Sequence, residues 1–498
     1  MKQNVLEILT QNFNDNYLPS LVVTTTALIV MLSAAYKRNH AQTNLITIFG
    51  LLLTFFLQYR LIEAPSYQTV LFMFDGITSL VSTFLIVVSI LISFLLYNWL
   101  ERINEPKEEY YLLLLLATQG ALVLCASIHF ASFFLGLELL GLSLIPMVAY
   151  VSNDDKALEA GIKYLVLSAA ASAFVLMAIG ILYLYAGTLS LVELVEKIPA
   201  IKNGSNDVIL SSAIVMLLIG IAFKLSLVPC HLWVADLFEG SPTPTAALLA
   251  TLSKTAIFVV LLRMYSLGAW HTQPAIIDII AFSAAASMLM GNLLALLQKN
   301  LFRLLAYSSI AHFGYILLAI LSLNSANTLA PDATLATEAA VYYIVAYLVT
   351  VTGIFTMLML VPNVSTIDQL RGMFWKKRSV ATVLMLLLLS LAGIPLTIGF
   401  VGKFYLTVAA VNSQLWWLLA TLVIGSVIGI FYYLRIILIM IDKHKEEDVA
   451  PAVIGGDSQG DGAIYLNGQF VMAIIVVMVM GIGIFPQALA NAIHVLVK

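Results

Sequence analysis

Four lysines and one glutamate stand inside long apolar stretches of the sequence, where a charged side chain is costly. They are Lys163, Lys224, Lys254, Lys403 and Glu138. A charge at the centre of a bilayer costs about 2.5–3.5 kcal/mol on insertion scales, and such residues persist mainly where they pair or line an ion path. A buried lysine can release its proton, whereas an arginine stays charged. These residue types therefore predict proton transfer within a membrane.

The glutamate can act as a switch for these lysines. A nearby carboxylate stabilises the ammonium form of a lysine, and burial without such a partner favours the neutral amine. Glu138 lies deep in an apolar stretch, within FFLGLELLGLSLIP. His312 lies in the middle of another stretch, and an imidazole titrates near neutral pH. Together the four lysines, the glutamate and the histidine predict a proton relay across the protein.

Several of these residues also have a purely structural interpretation. Lys163 lies near the start of its stretch and could extend its amine to the membrane surface. Glu138 and Lys224 could form a static ion pair. His312 could be a hydrogen-bonded histidine of the core. For these residues the sequence leaves both interpretations open.

Two of the apolar stretches are too long for a single span, and each contains a proline, Pro229 in one and Pro395 in the other. Proline removes a backbone donor and clashes with the preceding turn, so both helices are expected to break near the membrane midplane. Lys224 and Lys403 lie beside these breaks, where they could cap freed carbonyls as well as carry protons. Lys254 has no such break nearby, and a function in proton transfer is favoured for it.

Composition restricts the class of protein. Of the 498 residues, 61% are hydrophobic and 10% are charged, whereas a soluble domain has about 25% charged residues. The expected fold class is therefore an all-α polytopic membrane protein. The net charge of −3 argues against a basic nucleic-acid binder. The two cysteines, Cys125 and Cys230, are far apart, and no phosphate-binding glycine loop is present, so no metal or other cofactor is expected in this chain.

A membrane-spanning helix needs about 20 mostly apolar residues, and about fourteen stretches meet this requirement. Their approximate limits are 18–37, 42–62, 70–100, 110–128, 130–151, 161–186, 208–238, 243–266, 273–297, 301–323, 335–361, 378–411, 415–441 and 469–497. The two proline-broken helices are then the seventh and the twelfth.

Lysines and arginines in the loops predict the orientation, because cytoplasmic loops are enriched in them. Loops after odd-numbered spans carry fourteen such residues, and the opposite side, with Arg263 among its loop residues, carries six. The larger set is predicted to be cytoplasmic, which places both termini on the other side. The remaining four are the lysines inside spans, and no arginine is among them.

The two broken helices suggest an internal repeat. They are five spans apart, and matching interrupted spans in two halves are typical of transporters built from repeats. Because five is odd, successive five-helix copies would have opposite orientations. The predicted divisions are 1–109 for three N-terminal helices, 110–266 for the first repeat, 267–441 for the second inverted repeat, 442–468 for a cytoplasmic loop and 469–498 for the last helix.

Two segments around the proline breaks resemble a known family. AFKLSLVPCHLWVADLFEGSPTPTAALLATLSK, residues 222–254, resembles the signature region of the antiporter-like subunits of respiratory complex I. LAGIPLTIGFVGKF, residues 391–404, resembles their second broken helix. Lys403, where another member has a glutamate, and the short extent after the fourteenth span make the chain most similar to the N type. It departs from the family pattern at Cys230, where an aromatic residue is common, and at Ala235, where proline is common.

The resemblance implies a proton-translocating subunit of a bacterial NADH-quinone oxidoreductase, with other membrane-arm subunits as partners. It implies a Glu138–Lys224 pair that opens and closes, Lys254 as the central carrier, Lys403 toward the far half-channel and Lys163 as an accessory residue. Redox centres and quinone sites would lie in other subunits, and this chain would hold no cofactor.

Two further interpretations stay open at this point. Multi-chain cation/proton antiporters share this ancestry and much of the signature, so the chain could be a subunit of one of them. In the third interpretation the chain is a scaffold whose buried charges only hold helices together. Co-purification with quinone-reducing subunits separates the first two interpretations, and charge-neutralising substitutions separate both from the scaffold.

Overall fold

Apolar α-helices make up nearly all of the chain. The computed structural model describes residues 2–201, 207–267, 274–323, 330–361, 364–442 and 461–497. Within these ranges 13 helices are long and apolar enough to cross a membrane. Lipid offers no partner for backbone polar groups, and a helix satisfies these groups within its own segment. The prediction of an all-α polytopic membrane protein is confirmed.

The described residues form twenty α-helices. The first ten, α1 to α10, are Lys2–Tyr36, His40–Arg60, Gly76–Leu100, Glu108–Ala126, Phe130–Val148, Asp155–Ala186, Leu191–Ile201, Asp207–Leu225, Leu232–Gly240 and Thr243–Leu248. The next ten, α11 to α20, are Lys254–Ser266, Pro274–Leu296, Leu301–Ser322, Ala330–Met359, Met373–Lys376, Arg378–Ala392, Ile398–Asn412, Trp416–Ile441, Asp461–Ile484 and Pro486–Val497. A short antiparallel hairpin, β1 (Tyr67–Gln68) and β2 (Met73–Phe74), connects α2 to α3.

Both predicted helix breaks are present. The first lies between α8 and α9 and contains Pro229, and the second lies between α16 and α17 and contains Pro395. Gly393 ends α16 with φ +85°, a left-handed conformation that suits glycine because it lacks a Cβ. α16 and α17 are each too short to cross a membrane alone, so together they form one broken span.

Several predicted boundaries differ from the structure, and α1 begins at Lys2 rather than at residue 18. The span 243–266 is interrupted by a π-helical turn at Leu249–Ser253, between α10 and α11. This turn contains neither proline nor glycine and so carries no breaking signal in the sequence. The last span, 469–497, is divided by Pro486 into α19 and α20. In the predicted loop 442–468, residues 443–460 lie outside the described residues, and α19 begins at Asp461.

The centre of the bundle is formed by three helices that are buried on all sides, namely α11, α13 and α14. Close approach of α12 to α13 depends on glycine, because a Cβ at Gly291 would lie 2.7 Å from Ala311 N and one at Gly314 would lie 2.8 Å from Met288 N. α1, α2 and α18 are peripheral and expose one apolar face. Lys254 and His312 therefore lie on these central helices, and Lys403 lies on α17, which packs against them.

Candidate functional site

Lys224 lies in the last turn of α8, just before the first break, and its side chain is buried. Its Nζ donates a hydrogen bond to Ser168 Oγ of α6 at 2.7 Å. One turn farther along α6, Ser172 Oγ donates to Glu138 Oε1 of α5 at 2.5 Å. Because residues four apart lie on one face of a helix, Lys224 and Glu138 approach the same side of α6.

A direct ion pair between Glu138 and Lys224, as the family resemblance implies, is absent from this structure. In the described part of the chain each of the two bonds to its own serine. The carboxylate still acts electrostatically on the ammonium. Gly141, one turn after Glu138, lies beside the amine, and a Cβ there would lie at van der Waals distance, 3.5 Å, from Lys224 Nζ. Each charge is therefore met by a hydroxyl rather than by the other charge.

Lys163 does not share this apolar environment, although the sequence placed it inside a span. Its side chain is 46% exposed and pairs with Glu159 at 2.7 Å and with Asp236 at 3.1 Å. The physical reason is the length of α6, whose 32 residues extend for about 48 Å, well beyond the apolar thickness of a bilayer. Lys163 therefore sits toward the end of the helix among carboxylates.

Those carboxylates belong to a network that the sequence analysis missed. Asp236 of α9 also accepts from Arg303 of α13 at 2.6 Å. Arg303 contacts Glu239 at 3.0 Å, and Glu239 pairs with Lys156 at 2.9 Å. The network thus ties α9, the second half of the first broken helix, to α6 and α13. The residues are far apart in sequence, so no local pattern could have revealed it.

Lys254 is the most enclosed of the four lysines, with 2% of its surface exposed. Its Nζ donates to Ser309 Oγ of α13 at 2.7 Å. The amine also lies 5.8 Å from the ring centroid of Phe238 and 5.5 Å from that of Phe313, distances at which an ammonium interacts with an aromatic face. No carboxylate of the described residues forms an ion pair with it. One hydroxyl and two aromatic ring faces are therefore the groups that interact with this amine.

The π-helical turn ends directly before Lys254, which corrects the expectation that no break lies nearby. Tyr347 of α14 donates its hydroxyl to the carbonyl of Ala250 within this turn at 3.1 Å. A π-turn disturbs the regular helical hydrogen bonds, and such turns are frequent at functional sites. The phenol thus satisfies a backbone oxygen inside the turn that leads to Lys254.

His312 is buried on α13, three residues after Ser309. Its Nδ1 lies 2.7 Å from the Tyr343 hydroxyl and its Nε2 lies 3.2 Å from the Tyr433 hydroxyl. A neutral imidazole has one donor and one acceptor nitrogen, and a phenol can serve either. Because residues three apart share a helix face, the imidazole lies on the same side of α13 as the partner of Lys254.

Lys403 of α17 bonds to backbone rather than to side chains. Its Nζ donates to the carbonyls of Leu391 at 3.1 Å and Ala392 at 3.0 Å, at the C-terminal end of α16. The amine also lies 5.4 Å from the ring centroid of Tyr315. Terminal carbonyls of a helix lack intrahelical partners and attract cations. The capping role left open for Lys403 is therefore part of its geometry.

A small cavity separates His312 from Lys403. It is lined by these two residues and by Tyr343, Ser390 and Gly399, among others. It has room for about one water molecule, and its lining is mainly apolar. The imidazole and the amine therefore border the same small cavity.

Arg263 was counted with the outer loops although the predicted span 243–266 contains it, and it lies in the last turn of α11 with 8% of its surface exposed. Its guanidinium pairs with Asp75 at 3.2 Å and contacts the Thr78 hydroxyl. It also donates to the carbonyl of Ser127 at 3.4 Å. Asp75 meanwhile caps the N-terminus of α3. Arg263 is thus a buried cation in addition to the lysines, and its contacts connect neighbouring helices.

Among the described residues, no cluster of histidine, cysteine and acidic side chains could hold a metal ion. Within the same ranges Lys254 bonds to Ser309, His312 lies three residues farther along α13, and His312 and Lys403 both line the small cavity. Amines, hydroxyls and an imidazole can each donate or accept a proton. Glu138 and Lys224 form a second group on α5, α6 and α8.

Comparison with known proteins gives consistent results. Residues 127–429, more than half of the chain, match the family described as NADH:quinone oxidoreductase/Mrp antiporter, transmembrane. The chain is 43% identical over 479 residues to NADH-quinone oxidoreductase subunit N of Shewanella woodyi, covering 96% of this chain and 98% of that protein. It is 40% identical over 491 residues to the subunit N of Ectopseudomonas mendocina, covering 96% and 95%.

Solved structures show the same fold. A chain of respiratory complex I from Thermus thermophilus matches with a TM-score of 0.74 at 26% identity, covering 92% of this chain and 97% of that chain. A chain of the Mrp complex from a Dietzia species matches with a TM-score of 0.82 at 17% identity, covering 97% of both. At that lower identity the likeness concerns the fold alone.

Proposed function

The chain belongs to the subunit N family of NADH-quinone oxidoreductase, the antiporter-like membrane subunits of complex I, and on that basis we propose that it carries protons along its buried side chains. It is a multi-pass protein of a bacterial respiratory membrane and a subunit of the oxidoreductase complex. In this proposal, quinone reduction takes place in other subunits. The free energy that it releases reaches this chain through electrostatic or conformational coupling, and this chain itself holds no cofactor.

The observation that carries the proposal is the environment of Lys254. A lysine that is 2% exposed and has a hydroxyl as its hydrogen-bond partner is held where gaining or losing a proton changes its interactions strongly. Ser309 places this amine beside the helix face of His312, and the cavity beyond leads to Lys403. The proposed proton transfer follows this order, from Lys254 in the first repeat to Lys403 in the second.

The first half contributes Glu138 and Lys224. We assign them the role of a pair whose separation changes, because each is hydrogen-bonded to a serine of α6 and the carboxylate acts on the ammonium across the gap. A rotamer change in either side chain would change the distance between the two charges and so strengthen or weaken their attraction. Lys163 is an accessory at the surface end of α6, where its carboxylate partners keep it charged.

The proposed repeat organisation rests on the two breaks. Spans four to eight, residues 110–266, would form the first unit and spans nine to thirteen, residues 267–441, the second, with inverted orientation. In support, each unit contains one broken span with a lysine beside the break, Lys224 in the first and Lys403 in the second. The excess of basic residues in loops after odd-numbered spans supports termini on the non-cytoplasmic side.

The proposed partners are the other membrane-arm subunits of the complex. Glu138 is half-buried, and Leu135 and Leu142 on the neighbouring turns of α5 are 67% and 60% exposed. An apolar face next to an intramembrane carboxylate suits a neighbouring subunit better than lipid, because a carboxylate facing hydrocarbon is costly. The cation/proton antiporter alternative has less support, since the likeness to the Mrp chain concerns the fold alone.

The test is proton pumping by the purified complex in proteoliposomes, with Lys254→Gln in this chain and Lys299→Gln as the control. Lys299 is an exposed lysine without an ion pair among the described residues, so its loss changes charge but not the buried path. We expect fewer protons pumped per NADH oxidised in Lys254→Gln and an unchanged ratio in the control. An unchanged ratio in a fully assembled Lys254→Gln complex refutes the role of Lys254.

A further inference from the structure

Three consecutive cations, Lys376, Lys377 and Arg378, lie where α15 meets α16. They are termed the basic patch here. Lys376 and Arg378 are exposed, and Lys377 is half-buried. Within the described ranges, none of the three forms an ion pair with a carboxylate, and the nearby acids Asp368 and Asp442 both pair with Arg371. The charge of the patch is therefore not neutralised by these neighbours.

The other basic residues of the predicted cytoplasmic loops fall into two groups, because Lys37, Arg102 and Lys299 are scattered exposed cations without an ion pair among the described residues, and others have carboxylate partners. Those with carboxylate partners form the pairs Arg38–Glu109, Lys107–Glu101, Lys156–Glu239, Arg303–Asp236 and Arg371–Asp442. The hydrogen bond from Lys107 lowers the pKa of the Glu101 carboxyl, as a formed pair should. Basic loop residues that only determine the orientation of a membrane protein need not be adjacent in sequence, and they need not lack ion pairs. Within the part of the chain that the structure describes, the basic patch is both concentrated and without ion pairs.

Two aromatic residues place the patch at the membrane surface. Phe374 and Trp375 precede it directly, and Trp375 is 53% exposed. The indole of Trp375 donates to the carbonyl of Ile441 at the end of α18 at 2.8 Å. The Arg378 guanidinium lies 5.5 Å from the ring centroid of Phe374. Tryptophan is enriched at the depth of the lipid headgroups, so the three cations stand at that depth.

An apolar strip extends from the patch toward the membrane interior. α15 and α16 pack against α18, and α18 exposes Phe431 and Leu438 by 66% and 67%. Arg435 is exposed on the same helix, without an ion pair among the described residues, and its long side chain can reach the headgroup layer. A surface with cations above and an exposed apolar strip below matches the two ends of a phospholipid.

We propose that the basic patch binds the phosphate of an anionic phospholipid headgroup, with the acyl chains lying along the exposed face of α18. Phosphate accepts several hydrogen bonds from lysine and arginine at once. A basic residue near an anionic membrane surface strengthens association by about fivefold, so three adjacent residues distinguish anionic from zwitterionic lipid. The site lies outside the proton path and holds the second broken span at the membrane surface.

The first experiment measures the anionic lipids that remain bound to the detergent-purified complex, by native mass spectrometry. The patch variant carries Lys376→Gln, Lys377→Gln and Arg378→Gln. The control carries Lys37→Gln, Arg102→Gln and Lys299→Gln, which remove the same charge from scattered exposed residues without ion pairs in the described structure. We expect the patch variant to lose bound phosphatidylglycerol or cardiolipin and the control to retain it.

Equal retention in both variants, or equal loss from both, overturns the proposal. Loss of a protein subunit with unchanged lipid also overturns it, because the patch would then bind a protein. If the patch variant does not assemble, the unmodified complex decides the question. Acetylation of Lys376 and Lys377 should be several-fold slower in nanodiscs that contain phosphatidylglycerol than in phosphatidylcholine alone, with Lys37 unchanged. Equal acetylation rates in the two lipids refute the site.

Discussion

Ser309 accepts the hydrogen bond of Lys254 three residues before His312 on α13, so that one helix face presents both the partner of the amine and the imidazole. Lys254 of α11 contacts this face through Ser309. Lys403 of α17 lines a cavity together with His312. The central helix is thus the element through which the lysines of the two proposed repeats are connected.

The first prediction concerns Ser309→Ala. This substitution removes the hydrogen-bond partner of the Lys254 amine while leaving the amine in place. A hydrogen bond of this kind contributes about 0.5–1.5 kcal/mol, so pumping should fall by roughly 2- to 10-fold if transfer through this bond limits the rate. The measurement is proton pumping per NADH oxidised in proteoliposomes. Ser322→Ala on the same helix is the control, because that hydroxyl bonds only to its own helix backbone.

The second prediction concerns the serines that meet Glu138 and Lys224. Ser168→Ala and Ser172→Ala should each reduce pumping, and the double variant should lose less than the product of the single effects. Residues that act on one shared interaction are not additive, whereas independent hydrogen bonds are. Ser143→Ala provides the control, since that hydroxyl bonds to a carbonyl of its own helix. Fully multiplicative single effects would show that the serines act separately.

The third prediction concerns Tyr343→Phe. The phenol lies 2.7 Å from His312 Nδ1, and its loss leaves that nitrogen without its partner and the imidazole free to change tautomer. We expect slower pumping and a changed pH dependence of the pumping rate. The neighbouring Tyr342→Phe removes a phenol that bonds to the carbonyl of Ile482 and should leave the pH profile unaltered. Identical pH profiles for both variants would separate the Tyr343 hydroxyl from proton transfer.

The fourth prediction concerns Arg263. In Arg263→Gln the partly buried Asp75 loses its charge partner, and breaking a buried pair costs about 3–5 kcal/mol. The thermal unfolding temperature of the purified complex should fall, and adding Asp75→Asn should restore part of it. Pumping per NADH oxidised by complexes that remain folded should be normal. The exposed Arg60→Gln serves as the reference, and an equal loss of thermal stability there would contradict a special role for the buried pair.

Composition and a few residue types were sufficient to predict the architecture. Lipid requires apolar helices, so about fourteen spans could be counted, and proline at 229 and 395 indicated both breaks. Lys254 and Lys224 stood out because few charges occur in apolar stretches, and the structure places both in the interior. The apolar stretches, the prolines and the charges inside spans are local features of the sequence, so they could be predicted from it.

Partners of those residues could not be predicted in the same way. Ser168 and Ser309 are ordinary hydroxyls in helices rich in small residues, and only packing shows which of them meets an amine. For Lys163 the sequence left a surface role and a relay role open, and its acidic partner Asp236 lies far away in sequence, so only packing reveals their ion pair. Arg263 was counted with the loop charges although the predicted span 243–266 contains it, because charge alone does not distinguish the end of a helix from a loop.

The contact of Lys403 with the carbonyls of Leu391 and Ala392 has a consequence for any search for its partner. Both acceptors are main-chain atoms, which every residue type possesses. Exchanging the side chains at these two positions leaves the oxygens where they are. An alanine scan will therefore pass over the groups that hold this amine, and only a change in the course of α16, such as a residue inserted before Gly393, can take them away.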